Sequence, residues 1–184
     1  MYKLVAIDMD GTLLKEDKTV SEKTKEAIKK AREKNVKVVL ATGRPVDGVK
    51  RYLEELDLFH DDEYVLTFNG AIVKEVGPDR VICRDTLKGS DLKYLYEISK
   101  NVGVNIHAFS NFGCVTPKMN KYTELEGRIN GIEVCEDDYN EIKADEEIIK
   151  IMMIDEPEVL EEGIKNLPEE VYEKYTVVRS APYF

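Results

Sequence analysis

The sequence predicts an α/β fold: a doubly wound, largely parallel sheet over the first seventy or so residues, followed by an α+β unit. Three observations predict it. Short apolar runs at Lys3 to Ile7 and Val36 to Leu40 each stop at polar or small residues, as buried strands of a parallel sheet do. The segments between such runs place apolar residues at helical spacing, giving strand, helix, strand, helix, strand with crossover connections. Beyond Asn69-Gly70 that alternation gives way to paired short strands and single helices.

Each element follows in order. "KLVAIDMDGTLL" opens with a strand that is expected to be buried and that ends at Asp8 and Asp10, two carboxylates one residue apart. Residues i and i+2 of a strand point the same way, so the pair is expected on one side, roughly 6 to 7 Å apart at the backbone. Like charges at the end of a dry strand raise each other's pKa unless a cation or hydrogen-bond donors hold them ionised, and the arrangement invites a metal. Lys15 to Thr19 reads as charged loop, and Ser21 as the N-cap of a helix with Thr24, Ala27, Ile28 and Ala31 on one face. "VKVVLATGR" (Val36 to Arg44) is the second strand, and Val49, Tyr52, Leu53 and Leu56 form the stripe of the next helix. "EYVLTFNGA" (Glu63 to Ala71) is the third strand. Ligands of such sheets bind at the carboxyl ends of the strands, where Asp8, Asp10, Thr42, Gly43 and Asn69 all fall.

In the second part, Ile72 to Leu87 reads as two strands around a Gly77-Pro78-Asp79 turn, and Ser90 as the cap of a helix carrying Leu92, Leu95, Ser99 and Val102. "VNIHAFS" and "GCVTP" are strands, 118–130 is loop or helix, "EEIIKIMMID" is a strand, 157–167 a helix, and "KYTVVRSAPYF" a final strand. The sheet of this part is expected to be largely antiparallel.

Composition bounds the function. A net charge of −10 over 184 residues disfavours nucleic-acid and anionic-membrane partners, which need clustered Lys and Arg. Cys83, Cys114 and Cys135 are odd in number and widely spaced, which suggests neither a disulfide framework nor a zinc site. With no stretch of transmembrane length, a cytoplasmic protein is expected. His107, His60 and the acidic run Glu136-Asp137-Asp138 read as a packed strand residue, a surface residue and solvated surface.

Asp8-Met9-Asp10-Gly11-Thr12-Leu13-Leu14 after one strand, with Ala41-Thr42-Gly43-Arg44 after the next, resembles the haloacid dehalogenase superfamily of phosphotransferases. Phe68-Asn69-Gly70-Ala71 and the α+β part are similar to its Cof-type branch of small-phosphoester phosphatases. The resemblance implies a Rossmann-like core with an inserted C2-type cap, expected at residues 1–82 and 83–184. It implies that Asp8 is the nucleophile, that Asp10 is the general acid and base with a raised pKa, and that the Asp8 carboxylate and Asp10 carbonyl hold Mg²⁺. Met9 through its amide, Gly11 through its freedom to turn, and Thr12, Thr42 and Gly43 would serve the phosphate; Arg44 and Asn69 would bind or orient it. For Arg44 and Asn69 a helix-entry charge and a turn residue are readings of equal standing.

The resemblance also implies what should follow the cap: a Lys-Gly and a Gly-Asp-x-x-Asn-Asp, which these residues lack. The chain is therefore expected to be the N-terminal portion of a phosphatase, with an incomplete core, weak or no activity alone, and self-association or a complementing C-terminal segment. The substrate expected is a small phosphorylated metabolite such as a sugar phosphate. A non-catalytic phospholigand-binding or regulatory remnant and a phosphoaccepting receiver domain are the alternatives.

Overall fold

The computed structural model describes residues 2–111 and 113–182. The chain divides into two compact units, Met1–Asp85 and Thr86–Phe184. In the first, strands β1 (Leu4–Asp8), β2 (Lys37–Ala41) and β3 (Tyr64–Thr67) alternate with helices α1 (Glu22–Glu33) and α2 (Asp47–Glu55), and β4 (Ile72–Glu75) and β5 (Arg80–Arg84) form a hairpin. The sheet runs β1-β2-β3-β4-β5. Pairing is parallel from β1 to β3 and antiparallel from β3 to β5. Because β5 pairs along β4, it stays with the first unit, although a boundary after residue 82 would cut through it.

Local chemistry explains the helices. Ser21 caps α1 by accepting from the Thr24 amide, as its position predicts. Ile28 of the predicted stripe is buried, whereas Ala27 faces out. In α2 Val49, Tyr52 and Leu53 are buried, and Leu56 just beyond it, and they pack with Met9, Leu13, Leu14, Val38, Leu40 and Val65 into one core. That core grips the chain on both sides of Asp8 and Asp10.

β1 departs from expectation. Instead of a buried strand it is the sheet's edge, with Leu4 55% and Val5 41% exposed, because among the described residues only β2 pairs with it. It also ends at Asp8; Asp10 lies beyond it, in an isolated bridge to Leu14. Asp8 and Asp10 are therefore not alternate residues of one strand, and period-two alternation does not set their relative directions.

The second unit contains β6 (Leu87–Lys88), α3 (Gly89–Val102), β7 (Asn105–Ser110), β8 (Gly113–Thr116), α4 (Lys121–Asn130), β9 (Val134–Glu136), β10 (Glu147–Ile154), α5 (Pro157–Lys165) and α6 (Glu169–Lys174). Its sheet order is β6-β10-β7-β8-β9, antiparallel except for β8 with β9. Leu92, Leu95, Ile98, Ile106, Ala108, Val115, Tyr139 and Ile148 form its core. Two expectations fail here. The residue preceding α3 is Lys88, not Ser90, because the Asp91 carboxylate accepts from the Lys88 amide. Residues 175–182 form no strand; the last element is α6, and the end of the expected strand at 183–184 lies outside the described residues. Among the described residues no helix is long and apolar enough to cross a membrane.

Candidate active site

The register of the first sheet builds the site. Asp8 pairs with Ala41, and Ala41 with Leu66, so the carboxyl ends of three parallel strands lie in one row. The chain after each strand is then stitched to its neighbour: the Thr42 amide donates to Leu66 O, Asn69 N to Thr42 O (2.9 Å) and Phe68 N to Arg44 O (3.0 Å). These bonds bring Asp8, Ala41, Thr42, Gly43, Leu66, Asn69 and Gly70 around a cavity of about 350 Å³. The second unit has a depression of about 260 Å³ lined by Tyr96, Pro117, Glu136, Asp137 and Asp138. Its acids repel a phosphate and already serve the fold, Glu136 accepting from the Met119 amide and Asp138 from Asn140.

Closing the first cavity requires unusual backbone. Phe68 and Asn69 take positive φ, 52° and 59°, in a turn after β3. A bulky residue in that region is a true outlier, and such outliers persist where the surroundings over-determine them. Asn69 lies so close over Gly43 that a Cβ there would meet Asn69 Oδ1 at 2.7 Å and push that side chain aside. Gly11 has φ +82° with open space around it, so conformation alone demands glycine.

The sequence-predicted residues divide into two groups. Asp8, Thr42, Gly43 and Asn69 line the cavity together. Thr12 Oγ1 donates to Asp8 Oδ2 (3.0 Å) and Met9 is fully buried, an anchor for the loop. Asp10 and Arg44 do not line the cavity; they hold each other. Arg44 Nε donates to Asp10 Oδ2 (2.7 Å) and its terminal nitrogen to Oδ1 (2.8 Å), a bidentate fork. Lys18 Nζ donates to the same Oδ1 (2.8 Å). Nothing in the sequence marks Lys18, which sits in a charged loop like many others.

This arrangement reverses one expectation. The resemblance implies a raised pKa for Asp10, supplied by negative neighbours. Its neighbours are cations: the Arg44 fork above all, then Lys18, hold its carboxyl at about 2 against the opposing effect of partial burial. Asp10 is thus ionised at neutral pH in this arrangement.

The donor set at the strand end suits a hard cation. Asp8 offers an exposed carboxylate beside the chain turn that carries the Asp10 carbonyl, and both are oxygen donors, while the described residues hold no cluster of three or more His, Cys, Asp or Glu. Mg²⁺ binds in this way, through one or two protein oxygens with water and substrate oxygens completing its shell.

Known proteins resemble the chain along most or all of its length. The family model described as haloacid dehalogenase-like hydrolase matches residues 5–184. The candidate phosphatase YxeH of Bacillus subtilis is 40% identical over 186 residues, covering 100% of this chain and 69% of that one. The 5-amino-6-(5-phospho-D-ribitylamino)uracil phosphatase YitU of the same organism is 35% identical over 103 residues, 55% of this chain and 37% of its own. Among solved structures, a haloacid dehalogenase-like hydrolase from Bacteroides thetaiotaomicron superposes with a TM-score of 0.83 at 25% identity, over 100% of this chain and 69% of that one. With its two aspartates and Thr-Gly-Arg at adjoining strand ends, this chain belongs to the haloacid dehalogenase-like hydrolases and is an enzyme of their phosphatase kind.

Proposed function

We propose that the protein is a Mg²⁺-dependent phosphomonoester hydrolase acting on a small phosphorylated metabolite, a sugar phosphate or similar, through an aspartyl-phosphate. The observation that carries the proposal is the presence of Asp8 in the lining of the cavity that Thr42, Gly43 and Asn69 complete. On this reading the first unit is catalytic core and the second is cap. Asp8 attacks phosphorus, forming an Asp8–O–P bond as the ester P–O bond breaks; water then attacks the same phosphorus and frees Asp8. Asp10 gives a proton to the leaving alkoxide and takes one from the attacking water. Its ionised form is ready for the second task, and the first requires a proton that the Arg44 and Lys18 contacts oppose. Thr42, Gly43 and the amide of Met9 donate to phosphoryl oxygens, and Asn69 orients the group. Mg²⁺, when bound by the Asp8 carboxylate and Asp10 carbonyl, neutralises charge on those oxygens.

Among the described residues, the cavity lining carries no lysine or arginine. These 184 residues are therefore proposed to turn over slowly alone, and a complementing segment supplying a lysine and a further metal-binding acid would raise the rate. The exposed edge of β1 supports docking of such a segment or of a second copy. Free Cys83, Cys114 and Cys135 suit the reducing cytoplasm.

The test is Mg²⁺-dependent release of phosphate from p-nitrophenyl phosphate. Asp8→Asn is expected to lower kcat by about three orders of magnitude or more, the usual scale for a lost nucleophile. Equal rates for Asp8→Asn and the parent would rule out the covalent route, and Mg²⁺-dependent phosphate binding without turnover would favour a phospholigand-binding role.

A further inference from the structure

We propose that Lys18 is a positioning residue of this site, one that fixes the Asp10 carboxylate in the Arg44 fork. The proposal deepens the phosphatase reading and rests on it for its meaning in catalysis.

The argument begins with the backbone. Lys18 has φ 61°, a conformation that suits glycine, asparagine or aspartate far better than lysine. The surroundings enforce it. Lys18 N donates to Lys15 O (2.9 Å) and Lys15 N to Thr19 O (3.0 Å), closing a tight turn. Asp17 Oδ1 accepts from both the amide and the hydroxyl of Thr19, at 3.0 and 2.6 Å. From the core, the hydroxyl of buried Tyr52 donates to Lys18 O (3.0 Å). Together these bonds hold a disfavoured conformation at a residue whose backbone alone would choose differently. What lysine adds there is its ammonium, which the turn delivers to Asp10 Oδ1.

The geometry at Asp10 shows what this achieves. Oδ2 takes one donor, Arg44 Nε; Oδ1 takes two, from Arg44 and Lys18. The lysine approaches from the loop after β1 and the arginine from the loop after β2, so the carboxylate is braced between separate segments. Tyr52 links the braces: its hydroxyl bonds the Lys18 carbonyl while the Arg44 guanidinium lies 5.7 Å from its ring centre. Counting Asp8 at the same strand end, Lys18 brings the local charge from −1 to zero in a chain of net charge −10. Removing Lys18 leaves a neutral pair that rotates more freely.

The experiment follows Arg44 directly by measuring hydrogen exchange of its Nε–H by NMR, in the parent chain and in Lys18→Ala, Lys18→Arg and Tyr52→Phe, with backbone spectra as the check of folding. Lys18→Ala is expected to speed the exchange about tenfold, the scale of coupling within a charged network, Lys18→Arg to restore most of the protection, and Tyr52→Phe to lie between. In the p-nitrophenyl phosphate assay Lys18→Ala should lower kcat about tenfold with KM nearly unchanged, and Lys18→Arg should recover it. Unchanged exchange in a folded Lys18→Ala overturns the proposal. Faster exchange with unchanged kcat removes Lys18 from the reaction and overturns it as well. Should the parent chain release no phosphate, with Asp8→Asn no different, the phosphatase reading of these residues fails, while Arg44 exchange still decides whether Lys18 positions Asp10.

Discussion

The two units differ in where their candidate site chemistry stands. In the first, Asp8 is exposed and Asp10 accessible between its cations at the open end of the sheet, although Glu63 and Glu75 are buried elsewhere in that unit and Glu63 Oε2 has no hydrogen-bond partner. In the second, polar groups are sealed inside: His107 and Thr123 are fully buried and bonded to each other, Nδ1 to Oγ1 at 3.2 Å, and His107 Nε2 and Asn130 Oδ1 are buried without a hydrogen-bond partner. Backbone strain divides the same way. Every described non-glycine residue with positive φ lies between Lys18 and Asp79, whereas the second unit gives such positions to Gly103, Gly113 and Gly131. Five of the seven non-glycine cases are asparagine or aspartate, which tolerate that region; Lys18 and Phe68 are the two that local energetics disfavour, and both stand beside the site.

The largest effect expected from this contrast is in acid. Burial, with a smaller contribution from the charge of Lys150, lowers the pKa of His107 from 6.5 to about 3. Thr123 bonds the ring and Phe109 packs edge-on against it. A depressed histidine pKa means that the unfolded chain binds the proton first as pH falls. The stability of the second unit should therefore drop progressively between pH 6.5 and about 3, by several kcal/mol at most. His107→Gln should flatten that part of the pH dependence, measured by hydrogen exchange of amides in β7 and β10. An unchanged acid limb would mean that the buried polar cluster is as open to protons as the site in the first unit.

The next effect tests the first unit. In Gly43→Ala the new methyl displaces the Asn69 side chain, whose Oδ1 lies 2.7 Å from the position the added Cβ would take. Because a side-chain end yields more easily than backbone, stability should change little. Binding of inorganic phosphate with Mg²⁺ should weaken by about tenfold, the effect of losing one good polar contact. Calorimetry on Gly43→Ala, Asn69→Ala and the double variant checks this. If the double variant is no worse than either single one, both act through Asn69; additive losses would show that Gly43 serves the phosphate on its own account.

Much of this division is legible in the sequence, for reasons that particular residues make plain. Asp8, Thr42, Gly43 and Asn69 are readable because strand ends of a parallel sheet share one edge, so three apolar runs locate their last residues together. The α2 stripe is readable because Val49, Tyr52 and Leu53 recur at helical spacing. The Asp10–Arg44 fork is not: it joins residues 34 apart through side-chain rotation, which no local pattern encodes. The sign of the Asp10 pKa shift fails with it, since Asp8 is visible two positions away while Arg44 and Lys18 arrive only in three dimensions. Exposure of β1 is hidden because an apolar run reports what a strand is made of and not how many neighbours it has. The expected last strand fails at residues 175–182, where β-forming Thr176, Val177 and Val178 find no pairing partner among the described residues.

The smallest effect isolates backbone strain itself. Gly103 ends α3 with φ +73°, and its added Cβ would meet nothing within 4 Å, so Gly103→Ala changes only the conformational preference of that residue. The left-handed region costs an alanine about 1 kcal/mol, and amides of α3 should lose protection by that amount. Asn35, at φ 57° after α1, is the matching position in the first unit. Asparagine tolerates this region, so Asn35→Gly should stabilise α1 by no more than a few tenths of a kcal/mol. Hydrogen exchange measured on both helices compares the two directly. A gain at Asn35→Gly as large as the loss at Gly103→Ala would show that strain in the first unit is spread over all its turns. A negligible gain would confine the costly cases to Lys18 and Phe68, where a lysine and a phenylalanine occupy the left-handed region beside the site.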